Sequence, residues 1–131
     1  MDLEDMAKGA KGTILVVDDE PEVRGVTRGY IQAFGYHVIE AASGIEALEA
    51  YKSGDFGLIV SDVIMPGMSR IAMFQQLKIE YPNAKIIFFS GDPKNEKANI
   101  DALVSTGDAI FLEKPIDLPK LPDAIEAMYQ R

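Results

Sequence analysis

Cysteine and tryptophan are absent from this chain, and histidine occurs once, at His37. Without cysteine there can be no disulfide and no thiolate metal centre. His37 has neither a ligand cluster nor a nucleophile beside it, so a surface or edge position is expected for it. No apolar run approaches the ~20 residues that a membrane span requires, and no signal-peptide pattern precedes the first strand-like segment. A cytoplasmic protein with no membrane partner is therefore expected. Positive charge is also scarce. Lys and Arg number 13 against 21 Asp and Glu, a formal net charge of −8. Such a chain offers no basic face from which counterions would be released on a nucleic-acid backbone, so direct nucleic-acid binding is not expected. Repeats and low-complexity tracts are missing as well.

What is present is an ordinary globular composition, with 47% apolar and 26% charged residues in 131. That is one domain's worth of chain, large enough to bury a core without staples. Residues 1–12, "MDLEDMAKGAKG", read as a flexible N-terminal leader, with the folded domain over 13–131. From Thr13 the pattern alternates. "TILVV" is an uninterrupted apolar run, as expected of a strand covered on both faces. Pro21 suits the first turn of a helix, whose apolar face would be Val23, Val26, Tyr30, Ala33 and Phe34 and which Gly35 would end. Gly25 and Gly29 weaken it, and its Glu22, Arg24 and Arg28 exclude a membrane dimerisation motif. "HVIEA" is a second strand. Ser43 with Glu46 forms a capping box for a helix running to about Ser53. "GLIVSD" is a third strand, followed by a helix from about Ser69 to Tyr81 with Ile71, Phe74, Leu77 and Tyr81 at helical spacing. "AKIIFFSGD" is a fourth, followed by a weaker helix near Glu96 to Ser105. "AIFLEKP" is the fifth, and a last helix carrying Ile125 and Met128 starts regularly near Pro122. Strands alternating with helices imply an α/β fold whose parallel sheet is covered by helices on both faces.

The first strand runs straight into Asp18, Asp19 and Glu20. Carboxylates ~4 Å apart repel by about 4 kcal/mol per pair in a partly protein-like dielectric, so something must offset that cost or the acids must point into water. In an open parallel sheet the functional crevice lies beyond the carboxyl ends of the strands. There the sequence delivers Asp18 and Asp19 from strand one, Asp62 from strand three, Ser90 from strand four and Lys114, followed by Pro115, from strand five. Clustered carboxylates repel unless a divalent cation joins them, and oxygen ligands favour Mg²⁺ or Mn²⁺ over zinc. Taken alone, Asp18 and Asp19 could equally be a helix N-cap pair, Asp62 a turn acid and Lys114 a surface lysine.

"LVVDDEP", "SDVIMPGM", "IIFFSG" and "FLEKP", in this order and spacing, resemble the receiver domain of two-component response regulators over about residues 13–130. The resemblance implies a (βα)5 flavodoxin-like fold with strand order 2-1-3-4-5. It also implies a signalling phosphoacceptor rather than an enzyme. Asp62 would take a phosphoryl group from a sensor histidine kinase or a phosphotransfer protein. Mg²⁺ (or Mn²⁺) would be held by Asp19, Asp62 and the backbone carbonyl of Ile64, with Asp18 acting mainly through water. Lys114, aimed inward by a cis bond to Pro115, would neutralise the transferring group. Ser90 would be the switch hydroxyl and Phe111 the switch aromatic. The output would be a changed face formed by the fifth strand with the helices before and after it, read by a protein target or a fused output domain, in a monomer or weak dimer. Ser69 and Arg70 depart from the acid and glycine usual after "MPGM", and Gly91 replaces a commoner alanine. Ile64, two residues beyond Asp62, stands where aspartyl-phosphate phosphatases carry a second acid. The acidic first turn would repel the phosphate of a flavin-like cofactor. A docking module that acts without phosphorylation is the remaining alternative.

Overall fold

The computed structural model describes residues 12–53, 56–62, 70–90, 109–113 and 120–129; Asp62, Ser90 and Phe111 enter by their backbone placement. Of the expected leader only Gly12 is included, with φ 124° and a carbonyl that accepts the His37 amide at 2.8 Å. The helix expected near residues 96–105 lies outside the described residues.

Each apolar run forms a strand: β1 Thr13–Val17, β2 His37–Ala41, β3 Leu58–Asp62, β4 Ile86–Ser90 and β5 Ala109–Glu113. All neighbouring pairs are parallel and the order is β2-β1-β3-β4-β5, as the resemblance implies. Four helices are described: α1 Pro21–Ala33, α2 Gly44–Ser53, α3 Arg70–Glu80 and α4 Leu121–Tyr129.

The inner strands β1, β3 and β4 are mostly apolar because both faces are covered, whereas the edge strand β2 leaves His37 and Ile39 exposed. On one face Leu15, Val17, Ile59, Ile86 and Phe88 pack with Ala47 and Tyr51 of α2 and Met73, Phe74 and Leu77 of α3. The alternate residues Ile14, Val16, Val38, Leu58, Val60, Ile87 and Phe89 pack on the other face with Ile31 of α1 and Leu121, Ile125 and Met128 of α4. The period-2 side-chain alternation of a strand thus divides one apolar run between two cores.

Local chemistry sets the helix ends. Pro21 occupies the first turn of α1, where a missing amide costs nothing. Gly35 closes the helix with φ 99° and donates its amide to Gln32 O at 3.0 Å, a conformation that glycine adopts without strain. At α2 the Ser43 hydroxyl accepts the Glu46 amide at 3.1 Å, and the Glu46 carboxylate accepts the Ala42 amide at 2.6 Å. The capping box is present, with its return bond one residue earlier than the standard form. In α4, Pro122 lies in the first turn, again where it removes no helical hydrogen bond.

The apolar face expected for α1 is corrected in part: Tyr30 packs against the core and Val23 is half-buried, as expected, but the rest of the face is rotated. The buried residues are Thr27 and Ile31, whereas Val26 is 61% exposed and Phe34 and Ala33 lie outward. Thr27 donates its hydroxyl to the Val23 carbonyl at 3.0 Å. With that polar group satisfied inside its own helix, the residue can be buried, and a pattern search that counts threonine as polar rotates the face. The two weak glycines have no packing role. A Cβ built on Gly25 or Gly29 meets nothing within 4 Å, so neither is needed for close packing. Gly25→Ala and Gly29→Ala are each expected to stabilise the fold by about 0.5–1 kcal/mol, read as a higher urea midpoint at unchanged slope. A lower midpoint would mean that α1 is not straight helix there.

Candidate functional site

The ladder register carries the acids to one edge. Val17, the last residue of β1, pairs with Ser61, so Asp18, the residue that follows the strand, comes level with Asp62, the last residue of β3. Asp62 pairs with Phe89, and Ser90, one step further, pairs with Glu113, the residue before Lys114. Neighbouring strands are about 4.8 Å apart, so Asp18, Asp62 and Ser90 occupy one short stretch of the carboxyl edge. Phe111 lies within β5, its backbone paired with Phe88. Lys114, Pro115 and Ile64 are outside the described residues, as are Ser69 and Gly91.

Asp18 and Asp19 are adjacent but differently housed. Asp18 is 7% exposed, while Asp19 lies open to solvent. The Asp18 amide donates to Ala41 O, at the end of β2, at 3.1 Å. Its carboxylate Oδ1 accepts the Glu20 amide at 2.9 Å, a local side-chain turn that keeps the carboxylate at the strand end. The N-cap of α1 is Glu20, with no side-chain cap bond. The two aspartates therefore do not form the helix N-cap pair that the sequence alone left open. Among the described residues no three His, Cys, Asp or Glu side chains are gathered into a potential metal site. A cavity of about 310 Å³ lined by Tyr51, Phe56, Glu80 and Tyr81 lies at the opposite, amino edge of the sheet and takes no part in this arrangement.

Sequence reasoning missed the basic partner of the acidic turn. Arg24 of α1 donates from Nη1 to the Asp18 carbonyl at 2.7 Å and from Nε to Glu40 Oε1 at 3.2 Å. Glu40 in turn accepts Arg28 Nη1 on Oε2 at 2.8 Å. The only sequence signal was a pair of arginines one helical turn apart, following three consecutive acids.

Comparison with known proteins bears on the family and the fold. The family model described as the response regulator receiver domain matches residues 14–126. The sensor kinase CckA of Brucella abortus is 38% identical over 91% of this chain, which spans 13% of that protein. The autoinducer sensor kinase/phosphatase CqsS of Vibrio cholerae is 31% identical over 87% of the chain and 17% of its own length. The chain thus spans less than a fifth of the length of these two relatives. Among solved structures, the receiver domain of the hybrid histidine kinase CckA superimposes with a TM-score of 0.75 at 34% identity, covering 91% of this chain and all of that one. The response regulator TrrA of Thermotoga maritima, solved in complex with Mg²⁺–BeF, gives a TM-score of 0.76 at 28% identity, covering 88% and 97%. Among the described residues no helix is long and apolar enough to cross a membrane. The five-stranded parallel sheet, the acids at its carboxyl edge and the match over residues 14–126 together assign the chain to the response regulator receiver domain family, the signalling module of two-component systems.

Proposed function

We propose that this chain is a phosphoacceptor: Asp62 takes a phosphoryl group from a phosphohistidine on a sensor histidine kinase or phosphotransfer protein. A carboxylate oxygen of Asp62 attacks phosphorus as the P–N bond breaks, and the imidazole keeps the electron pair and is reprotonated from solvent. The observation that carries the reading is the buried Asp18 carboxylate, level with Asp62 across a parallel ladder. Holding a carboxylate out of water beside other acids is costly in a purely structural turn, and the cost is offset when the cluster binds a cation.

The donor set fits Mg²⁺, or Mn²⁺, because it consists of oxygen alone. Asp19, Asp62 and the Ile64 carbonyl would hold the ion, with Asp18 acting through water. When bound, the metal supplies charge neutralisation for the transferring group. Lys114, directly after β5, balances the remaining charge. Ser90 then donates its hydroxyl to a phosphoryl oxygen and draws the end of β4 inward, and Phe111 follows. The changed face lies along β5 and the helices flanking it, and a protein target or fused output domain reads it.

Incubation with Mg²⁺ and acetyl phosphate tests the proposal: one hydroxylamine-labile phosphoryl group per chain is expected. A chain that stays unlabelled acts by docking alone. Release of many phosphates per second would make it a phosphatase. Ile64 carries no group that could orient an attacking water, so the label is expected to decay several-fold more slowly than in Ile64→Asn. Equal decay rates would remove Ile64 from the control of lifetime.

A further inference from the structure

We propose that Arg24 is a positioning residue for the acidic turn, holding Asp18 and Asp19 in the orientation in which they meet a divalent cation. The inference rests on the phosphoacceptor reading above and adds a residue to its machinery. Residue 18 is tied at three points at least. Its amide is bound to Ala41 O of β2, its carboxylate to the Glu20 amide, and its carbonyl to Arg24 Nη1 at 2.7 Å. The third tie is charge-assisted and short. It acts on the peptide joining Asp18 to Asp19, and because that unit is planar, fixing its oxygen fixes the direction in which Asp19 departs.

Arg24 can do this because it is itself held. Its side chain is 18% exposed, and Glu40 of β2 receives its Nε at 3.2 Å. The other oxygen of Glu40 is taken by Arg28 at 2.8 Å. A planar guanidinium serves two acceptors in fixed directions, which an ammonium cannot. The acidic turn is thereby braced against both β2 and α1, and a positive charge stands behind three consecutive acids. Glu40 matches one of the two arginine charges, so the brace does not place a large net positive charge beside the metal position. A lone surface ion pair contributes little; this one ends on the main chain of a site residue.

The test is the charge-balanced double variant Arg24→Met/Glu40→Gln, which removes the tie without changing net charge. Mg²⁺ affinity measured by calorimetry is expected to fall about tenfold, the low end for removing a group that orients a metal ligand. Exchange of the Glu20 amide in the metal-free protein, followed by NMR, is expected to accelerate. Arg24→Lys keeps the charge but replaces the fixed fork by a single rotatable ammonium, and its affinity should fall between the two. A folded double variant with Mg²⁺ affinity within twofold of the wild type and unchanged Glu20 exchange overturns the proposal and leaves the phosphoacceptor reading intact. A double variant that does not fold, together with wild-type affinity in Arg24→Lys, overturns it as well. A wild-type chain that takes up no Mg²⁺ removes the phosphoacceptor reading and this one together.

Discussion

Asp62→Asn is expected to reduce hydroxylamine-labile labelling by acetyl phosphate at least about a hundredfold, to background, because an amide is no nucleophile toward phosphorus. The reaction breaks one acyl phosphate bond and makes another, so the wild type should label without energy input once the charge of the transferring group is balanced. Asn has nearly the size of Asp, and Asp62 contributes to β3 through its backbone pairing with Phe89, so the variant should fold. In the absence of divalent cation it should melt no lower than the wild type, since one of several mutually repelling carboxylates is gone. The labelling assay and the melting curve therefore move independently. Persistent label in Asp62→Asn would place the acceptor at another carboxylate and overturn the assignment. A melting temperature well below the wild type would show that Asp62 is structural.

The sheet was legible because its strands are unusually apolar: "TILVV" and "IIFFS" need two covered faces, and two covered faces need helices between parallel strands. Pro21, Gly35 and the Ser43–Glu46 box marked helix ends through backbone chemistry that does not depend on tertiary context. The face of α1 was legible only in part, through Val23 and Tyr30. Amphipathic patterns count residue types, whereas burial depends on whether each polar group finds a partner, and Thr27 finds one in its own helix. Asp18 and Asp62 were legible as strand-end acids, and parallel register turned sequence positions into neighbours. The unequal exposure of Asp18 and Asp19 was not, since consecutive residues in a turn carry no periodic signal. Arg24 escaped because its partner is a main-chain carbonyl, which has no sequence signature at all.

The second large effect concerns the core beneath the site. Phe74 of α3 and Phe88 of β4 are fully buried, their rings 6.0 Å apart at 89°, an edge-to-face pair. Phe74→Ala and Phe88→Ala are each expected to lower unfolding free energy by about 3–5 kcal/mol, a large part of the roughly 5–15 kcal/mol a domain has in total. Because the rings touch, the double variant should lose less than the sum of the singles, by about 0.5–1.5 kcal/mol. Ile31→Ala should cost about 2–5 kcal/mol, whereas Val26→Ala, on the outward side of the same helix, should stay within about 0.5 kcal/mol of the wild type. Urea midpoints at constant slope measure all five. Strict additivity would mean that the two rings do not meet in solution. A Val26→Ala loss matching that of Ile31→Ala would return α1 to the face its sequence pattern suggests and displace the packing that seats β1, and Asp18 with it, at the carboxyl edge.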